Sequence, residues 1–350
     1  MKRVVFFVSL CVLTVLLSNC GRKSEVLGTF KEIGRFTLKT SNQFASIKEF
    51  NGNFIAIDWA KPELFIFDKT GEVISVYNKV GKGPGELGQF GVDIIGTIGT
   101  TIFLSDRFGN KIMMYTYDEV KKTITFSDEF PINEGRVNAA AIGEDGLIYC
   151  NVGAKDYKYY AFDSKGVVVK KLVKSNPDEK KPAMAEAMID NMRYEIKNKN
   201  GLFSVGYMTY TLDFYNADKN GDYVPLYHGL PKYVFKKDNY TLDTTANSIS
   251  MTGEPGINGI FELADYFIFM VISDEKDENV FIQAYNGNGE YVGKYSFDTP
   301  AKKTTIMIVG SNKSDVLYIV QNSDDTKEKA DTAFHEIIIA KLHDSKNRTH

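Results

Sequence analysis

The sequence predicts an all-β chain: a six-bladed β-propeller of four-stranded antiparallel blades, closed by an N-terminal strand and carrying one short helical insertion. Three observations lead there. A pair of apolar strands joined by a short polar turn recurs six times. The residues that end the first strand of each pair, Asp58, Asp106, Asn151, Gly206, Asp274 and Asn322, stand 48, 45, 55, 68 and 48 positions apart, the spacing of stacked four-stranded blades. The 350 residues include 24 Phe, 20 Tyr and 29 Gly but a single Trp. That composition suits many short aromatic strands and tight turns better than long helices.

In chain order the strand pairs are Phe54–Asp58 with Leu64–Asp68, Ile102–Asp106 with Ile112–Tyr115, Leu147–Asn151 with Tyr157–Asp163, and Leu202–Gly206 with Leu212–Asn216. Phe269–Asp274 with Val280–Asn286 and Leu317–Asn322 with Phe334–Leu342 complete the six. After most pairs comes a further strand across a turn, as at Asp68-Lys69-Thr70-Gly71, Asp163-Ser164-Lys165-Gly166 and Asn286-Gly287-Asn288-Gly289. Asp, Asn and Gly supply the left-handed conformations such hairpins need. Another strand precedes each pair, as at Phe44–Phe50, Val92–Ile98, Val137–Ile142 and Thr304–Val309.

The two long intervals hold insertions. Behind Pro182, Met184, Met188 and Met192 recur every four residues, which predicts a short helix over about 178–195 packed on the ring. The polar stretch over about 232–259 predicts an extended loop with room for a hairpin. Because the last unit runs out after its third strand, residues 28–39 are expected to supply the outer strand of the sixth blade and cover its open edge. The propeller then spans 28–344, and 345–350 form a tail.

Lys2 and Arg3 precede an apolar run from Val4 to Leu17, and Leu17-Ser18-Asn19-Cys20 follows. The run is shorter than the roughly 20 residues of a membrane span, so residues 1–19 read as an export signal. Its end resembles the lipobox of bacterial lipoproteins. That resemblance implies a lipidated Cys20 at the head of the mature chain, residues 20–27 as a tether, and a place in the cell envelope, at the outer membrane. The alternative is a secretory signal with an incidental Cys20. Removing 19 of 350 residues leaves 331 and takes two positive charges from a formal net charge of -3. No basic excess then exists to meet a nucleic-acid backbone, so nucleic acid is not an expected partner. With Cys11 lost and Cys20 lipidated, Cys150 stands alone and reads as a small buried side chain, which excludes a disulfide framework.

Between the first two units stands Val80-Gly81-Lys82-Gly83-Pro84-Gly85-Glu86-Leu87. This segment resembles the Gly-x-Gly-Pro-Gly-Glu signature of the six-bladed, TolB-like propeller lipoproteins abundant in Bacteroidetes. Ser105-Asp106-Arg107-Phe108-Gly109-Asn110-Lys111-Ile112 is similar to the repeat of NHL propellers, with Lys111 where Arg is usual. A P-loop is excluded, because no Ser or Thr follows a Lys at the required spacing. Meander geometry puts Gly81, Lys82, Gly83, Pro84, Gly85 and Glu86 on one face with Asp58, Trp59, Asp106 and Arg107. The resemblance implies ligand binding on that face; the competing reading is that the loop only turns the chain from blade to blade.

The four histidines, His228, His335, His343 and His350, form no metal-binding pair at a recognisable spacing, and no catalytic triad motif is present. No cofactor is expected. The one alternative is calcium at the channel, if Asp58, Asp93, Asp106 and Asp274 converge, which would favour a channel-metal hydrolase or lyase. The preferred expectation is a non-catalytic, lipid-anchored binding propeller whose partner is an envelope protein or a small ligand.

Overall fold

The structure is a computed structural model of the chain and describes residues 26–38, 44–58, 61–89, 91–152, 156–175, 193–198, 201–206, 211–218, 223–229, 240–244, 249–253, 259–263, 266–271, 281–298, 306–311, 314–322 and 335–344. After a first long strand, β1 (Val26–Leu38), come four complete antiparallel meanders. Blade 1 is β2 (Phe44–Phe50), β3 (Asn53–Asp58), β4 (Leu64–Phe67) and β5 (Val73–Tyr77). Blade 2 is β6 (Val92–Ile98), β7 (Thr101–Asp106), β8 (Lys111–Asp118) and β9 (Thr123–Pro131). Blade 3 is β10 (Val137–Ile142), β11 (Ile148–Val152), β12 (Tyr157–Phe162) and β13 (Val168–Lys174). Blade 4 is β14 (Arg193–Asn198), β15 (Gly201–Gly206), β16 (Leu212–Ala217) and β17 (Tyr223–Gly229).

A separate hairpin, β18 (Tyr240–Thr244) with β19 (Ile249–Gly253), lies in the stretch expected to be an extended loop. Blade 5 is β20 (Phe261–Leu263), β21 (Tyr266–Val271), β22 (Phe281–Tyr285) and β23 (Tyr291–Asp298). Blade 6 is β24 (Ile306–Ser311), β25 (Val316–Asn322), β26 (His335–Asp344) and, as its outer strand, β1. The end of the expected helical insertion needs correcting. Residues 193–195 open β14, where Arg193 to Asn198 pair one-to-one with Gly206 to Gly201; residues 176–192 lie outside the described residues.

Most blade strands read as unbroken apolar runs rather than alternating ones because each blade is covered on both faces. Successive side chains point to opposite sides of a strand. In β3, Ile55 and Ile57 enter the layer between blades 1 and 2, while Phe54 and Ala56 enter the layer between blades 6 and 1. In β11, Ile148 and Cys150 face blade 2 while Tyr149 faces blade 4. The six buried layers of the ring follow from that alternation, one per seam.

Each seam carries an aromatic pair contributed by both blades. These are Tyr77–Tyr115, Phe130–Phe162, Tyr159–Tyr215, Phe203–Phe267, Phe30–Tyr295 and Phe54–Tyr318, with centroids 4.8 to 5.9 Å apart. Such pairs add roughly 0.5–1.5 kcal/mol beyond their buried area. The Phe and Tyr excess is therefore the mortar between blades.

Closure uses β1 twice. It runs antiparallel to β26, Gly28 opposite Asp344 and Leu38 opposite His335, and parallel to β23, Val26 opposite Lys294 and Lys31 opposite Asp298. The outer edges of blades 5 and 6 are thus joined into one eight-stranded sheet. The register against β26 slips between Glu32 and Gly34, leaving Ile33 as an extra, exposed residue. A one-residue bulge inverts the facing of everything beyond it. Phe30 accordingly packs toward blade 5 and Leu38 toward blade 1, although eight positions should keep them on one side.

The meanders give the disc two ends. The lower end carries Asp58, Asp106 and the crossovers between blades. The upper end carries the β2–β3 and β6–β7 hairpins, the β10–β11 turn and the turns that lead into outer strands.

Candidate functional site

The glycine-rich crossover from β5 to β6 lies across the lower end of blade 2. Val80 and Leu87 form a parallel bridge; Gly81 N–H donates to the Leu87 carbonyl at 3.0 Å, and Leu87 N–H to that of Lys79 at 2.8 Å. Glu86 folds back on its own loop: its carboxylate accepts Gly83 N–H at 2.7 Å, and a Cβ on Gly81 would collide with it. Gly85 is the fixed point. Its carbonyl accepts the hydroxyls of Tyr77 at 2.6 Å and Tyr115 at 3.1 Å, and its N–H donates to Glu129 at 3.1 Å. Lys111 Nζ completes the clip, 2.8 Å from Glu129 and 3.4 Å from the Gly83 carbonyl.

Burial raises the pKa of Tyr77, with the charge of Glu86 adding to the shift, and raises that of Tyr115, with Tyr77, Glu129 and Asp106 adding. Both phenols stay protonated donors. Within the motif, Lys82 and Pro84 are the exposed residues.

The carboxylates expected on this face serve their own turns. Buried Asp58 accepts Lys61 N–H at 3.2 Å. Buried Asp106 accepts Phe108 N–H at 3.0 Å and Gly109 N–H at 2.6 Å, and Gly88 approaches so closely that a Cβ there would stand 2.6 Å from its second oxygen. Arg107 reaches Asp93 of β6 at 3.6 Å. Trp59 and Asp274 lie outside the described residues. Among the described residues, no three His, Cys, Asp or Glu side chains gather as a metal-ion cage.

A cavity of about 440 Å³ opens at the upper end, on the axis. Inner strands of five blades line it: Lys48 and Glu49 from β2, Thr97 and Ile98 from β6, Ala141 and Ile142 from β10, Phe261 and Glu262 from β20, and Val309 to Ser311 from β24. The Lys48 amine is drawn below the usual lysine range by desolvation, and the negative charge of Asp93 lower in the channel partly restores it. Glu49 is steered by Gly52, whose N–H donates to it at 2.8 Å. The volume lies in the range of small-molecule sites, and the walls mix Ile95, Ile98, Ile142 and Phe261 with charges of both signs.

The family described as a 6-bladed beta-propeller, DUF5128, matches residues 37–251. This chain belongs to that family. Two solved structures resemble the DUF5128 propeller along nearly its whole length. A protein of Bacteroides fragilis NCTC 9343, named as exported, is 15% identical over 91% of this chain and 96% of its own, with a TM-score of 0.51. A member of the duf4221 family from Bacteroides vulgatus is 10% identical over 92% of this chain and 100% of its own, with a TM-score of 0.52. At these identities the likeness shows the fold. No curated protein matches the chain.

Sequence reasoning located the glycine clip of the DUF5128 propeller but missed its upper cavity. One signal was present: Lys48-Glu49 interrupts the strand Phe44–Phe50, which the ring otherwise has reason to keep apolar. The strands expected ahead of the fourth and fifth pairs carry no position in the sequence pattern; they are β14 and β20.

Proposed function

We propose that this chain is an exported, lipid-anchored binding propeller that captures a small ligand or a segment of an envelope protein at the upper mouth of its channel, without catalysis. The 440 Å³ axial cavity carries the proposal, because five separate blades must close into a ring to build it. Its chemistry fits a compact amphipathic group: aliphatic walls for the body, Lys48 for an anionic end, and Glu49 and Glu262 for donors. Export and anchoring rest on residues 1–20 and on the similarity to a Bacteroides protein named as exported. The Gly-x-Gly-Pro-Gly-Glu segment and whole-chain architecture support kinship with the TolB-like lipoproteins.

Affinity capture from detergent-solubilised envelope tests the reading. The wild-type lipoprotein is expected to retain a partner that Thr97→Trp, which fills the cavity, releases. Retention by Thr97→Trp with loss in a Lys82→Ala, Glu86→Ala double variant would move the site to the glycine-loop face. Cys20→Ala is expected to leave the membrane fraction; persistence there would refute lipid anchoring.

A further inference from the structure

We infer that the axial cavity is a site for a short apolar peptide, a di- or tripeptide held extended along the channel with its carboxylate inward at Lys48 and its ammonium at the mouth beside Glu49. The inference deepens the binding reading proposed above and rests on it.

Lys48 and Glu49 are neighbours in sequence yet serve opposite ends of the cavity. Successive strand residues face opposite sides. In β2, Ile47 packs in the layer between blades 6 and 1 and Phe50 in the layer between blades 1 and 2, so Lys48 is turned toward blade 2 and Glu49 toward blade 6. Their heights differ as well. Lys48 feels the charge of Asp93, which stands opposite Ser105, one residue from the lower end of β7. Glu49 is drawn upward, because one of its carboxylate oxygens accepts the N–H of Gly52 in the β2–β3 turn at 2.8 Å. Among the described residues, the Lys48 amine has no hydrogen bond or ion pair, and neither has the second oxygen of Glu49. A cation below and an anion above call for a ligand of the reverse polarity, entering anion first. Glu49, Glu144 and Glu262 outnumber Lys48 in the described lining, so that ligand must bring a cationic group as well as an anionic one. From Lys48 to Phe50 at the hairpin is two strand steps, about 7 Å. An extended dipeptide spans about 7 Å and a tripeptide about 10 Å.

The walls favour a peptide over other zwitterions. Each of β2, β6, β10, β20 and β24 ends its sheet, so the edge it turns to the axis has no strand beside it among the described residues. Such an edge presents backbone N–H and C=O groups that pair with an extended peptide. Two of these inner strands also bulge where they wall the cavity. The register slips between Ile94 and Gly96 in β6 and between Ile308 and Gly310 in β24. Ile95 and Val309 are left as extra residues outside the ladder, and both line the cavity. Ile98, Ile142 and Phe261 supply apolar surface for the peptide's side chains.

Calorimetric titration of the intact protein in detergent with leucyl-leucine and its two blocked forms tests this. Leucyl-leucine is expected to bind. Leucyl-leucinamide, which lacks the carboxylate, and N-acetyl-leucyl-leucine, which lacks the ammonium, should each bind about tenfold more weakly or worse, the usual loss for a hydrogen bond to a charged group. Lys48→Met should erase the preference for the dipeptide over its amide and keep the preference over the acetylated form; Glu49→Gln should do the reverse. The wild-type series needs no substitution, so a variant that fails to fold leaves the test intact. An amide bound as tightly as the dipeptide overturns the inward carboxylate. An acetylated form bound as tightly overturns the short peptide and assigns the cavity to the carboxyl end of a longer chain. Binding that Thr97→Trp does not block lies outside the cavity and overturns the inference too. If no dipeptide binds while envelope capture is still lost in Thr97→Trp, the peptide falls and the binding propeller stands; if that capture also fails, both fall.

Discussion

The Tyr115 hydroxyl donates to the Gly85 carbonyl oxygen at 3.1 Å, fastening the crossover between blades 1 and 2 to the third strand of blade 2. Tyr77 donates to the same oxygen at 2.6 Å, so the two phenols back each other up. Tyr115→Phe or Tyr77→Phe alone is expected to cost about 1 kcal/mol, the usual net value of one hydrogen bond. The double variant strands a buried carbonyl and should cost about 1–3 kcal/mol more than the singles predict. Urea midpoints of the four proteins check this, and strict additivity would show that the carbonyl finds water.

Gly85→Ala should be the most damaging single change in the glycine segment. Gly85 holds φ at +68°, and an added Cβ would enter the Phe126 ring. Left-handed backbone costs an L-residue about 1–2 kcal/mol and overpacking about 1–3 kcal/mol more. Lys82→Ala, at an exposed position, should stay within about 0.5 kcal/mol of wild type. Thermal melts of the two variants separate a clip from a loosely hung loop: equal melting temperatures would contradict the clip.

The six seams were legible because they impose a pattern that repeats: apolar strands, turn residues at near-constant intervals, and aromatics enough for a pair at each seam. Asp58 and Asp106 were legible as turn residues for the same local reason. The cavity was not, because Lys48, Glu262 and Ser311 meet only after the ring closes, and no spacing along the chain encodes that meeting. Ile33 illustrates the same limit on a smaller scale. Nothing in Glu32-Ile33-Gly34 announces a bulge; only pairing with both β26 and β23 requires one.

That bulge gives a sharp contrast. Ile33 is 57% exposed, so Ile33→Ala should change stability by no more than about 0.5 kcal/mol. Deleting Ile33 restores simple alternation along β1 and drives either Phe30 or Leu38, both fully buried, out of its layer. The expected loss is roughly 2–5 kcal/mol, the range for removing one large core side chain. Removing residues 26–38 altogether should abolish cooperative melting, since β23 and β26 each lose the strand that joins them and blades 5 and 6 come apart at their outer edges. An unchanged melting temperature for either deletion would refute closure through β1.

Alkaline pH should destabilise the protein through its tyrosines. Burial raises Tyr115, Tyr149, Tyr160, Tyr223 and Tyr318 above the ordinary phenol value. In the unfolded chain they ionise near pH ~10. Their contribution is therefore complete below that pH and is lost as pH rises beyond it, by about 1.4 kcal/mol per pH unit for each phenol still protonated only in the folded state. Denaturation at pH 9 and pH 11 measures the slope. Tyr115→Phe should make it shallower, and an unaltered slope would mean that the folded ring ionises as freely as the unfolded chain.

Lys48 should be a place where stability and binding oppose each other. Desolvation in the channel lowers its pKa, with Asp93 countering in part, so the folded state holds that proton less tightly than the unfolded chain does. Below the lowered pKa the folded protein carries the cost of the partly desolvated ammonium; that cost shrinks as pH rises toward the ordinary lysine value, and stability rises with it. Lys48→Met keeps the length of the side chain and removes the charge. It is expected to raise stability at neutral pH and to flatten the approach to pH 10. The same variant should lose capture of an anionic ligand, because Lys48 is the ammonium among the described residues lining the cavity. Denaturation midpoints and capture assays on one preparation decide the matter: a variant that is less stable at neutral pH would show that Lys48 is held by favourable contacts, and one that still captures would remove it from the site.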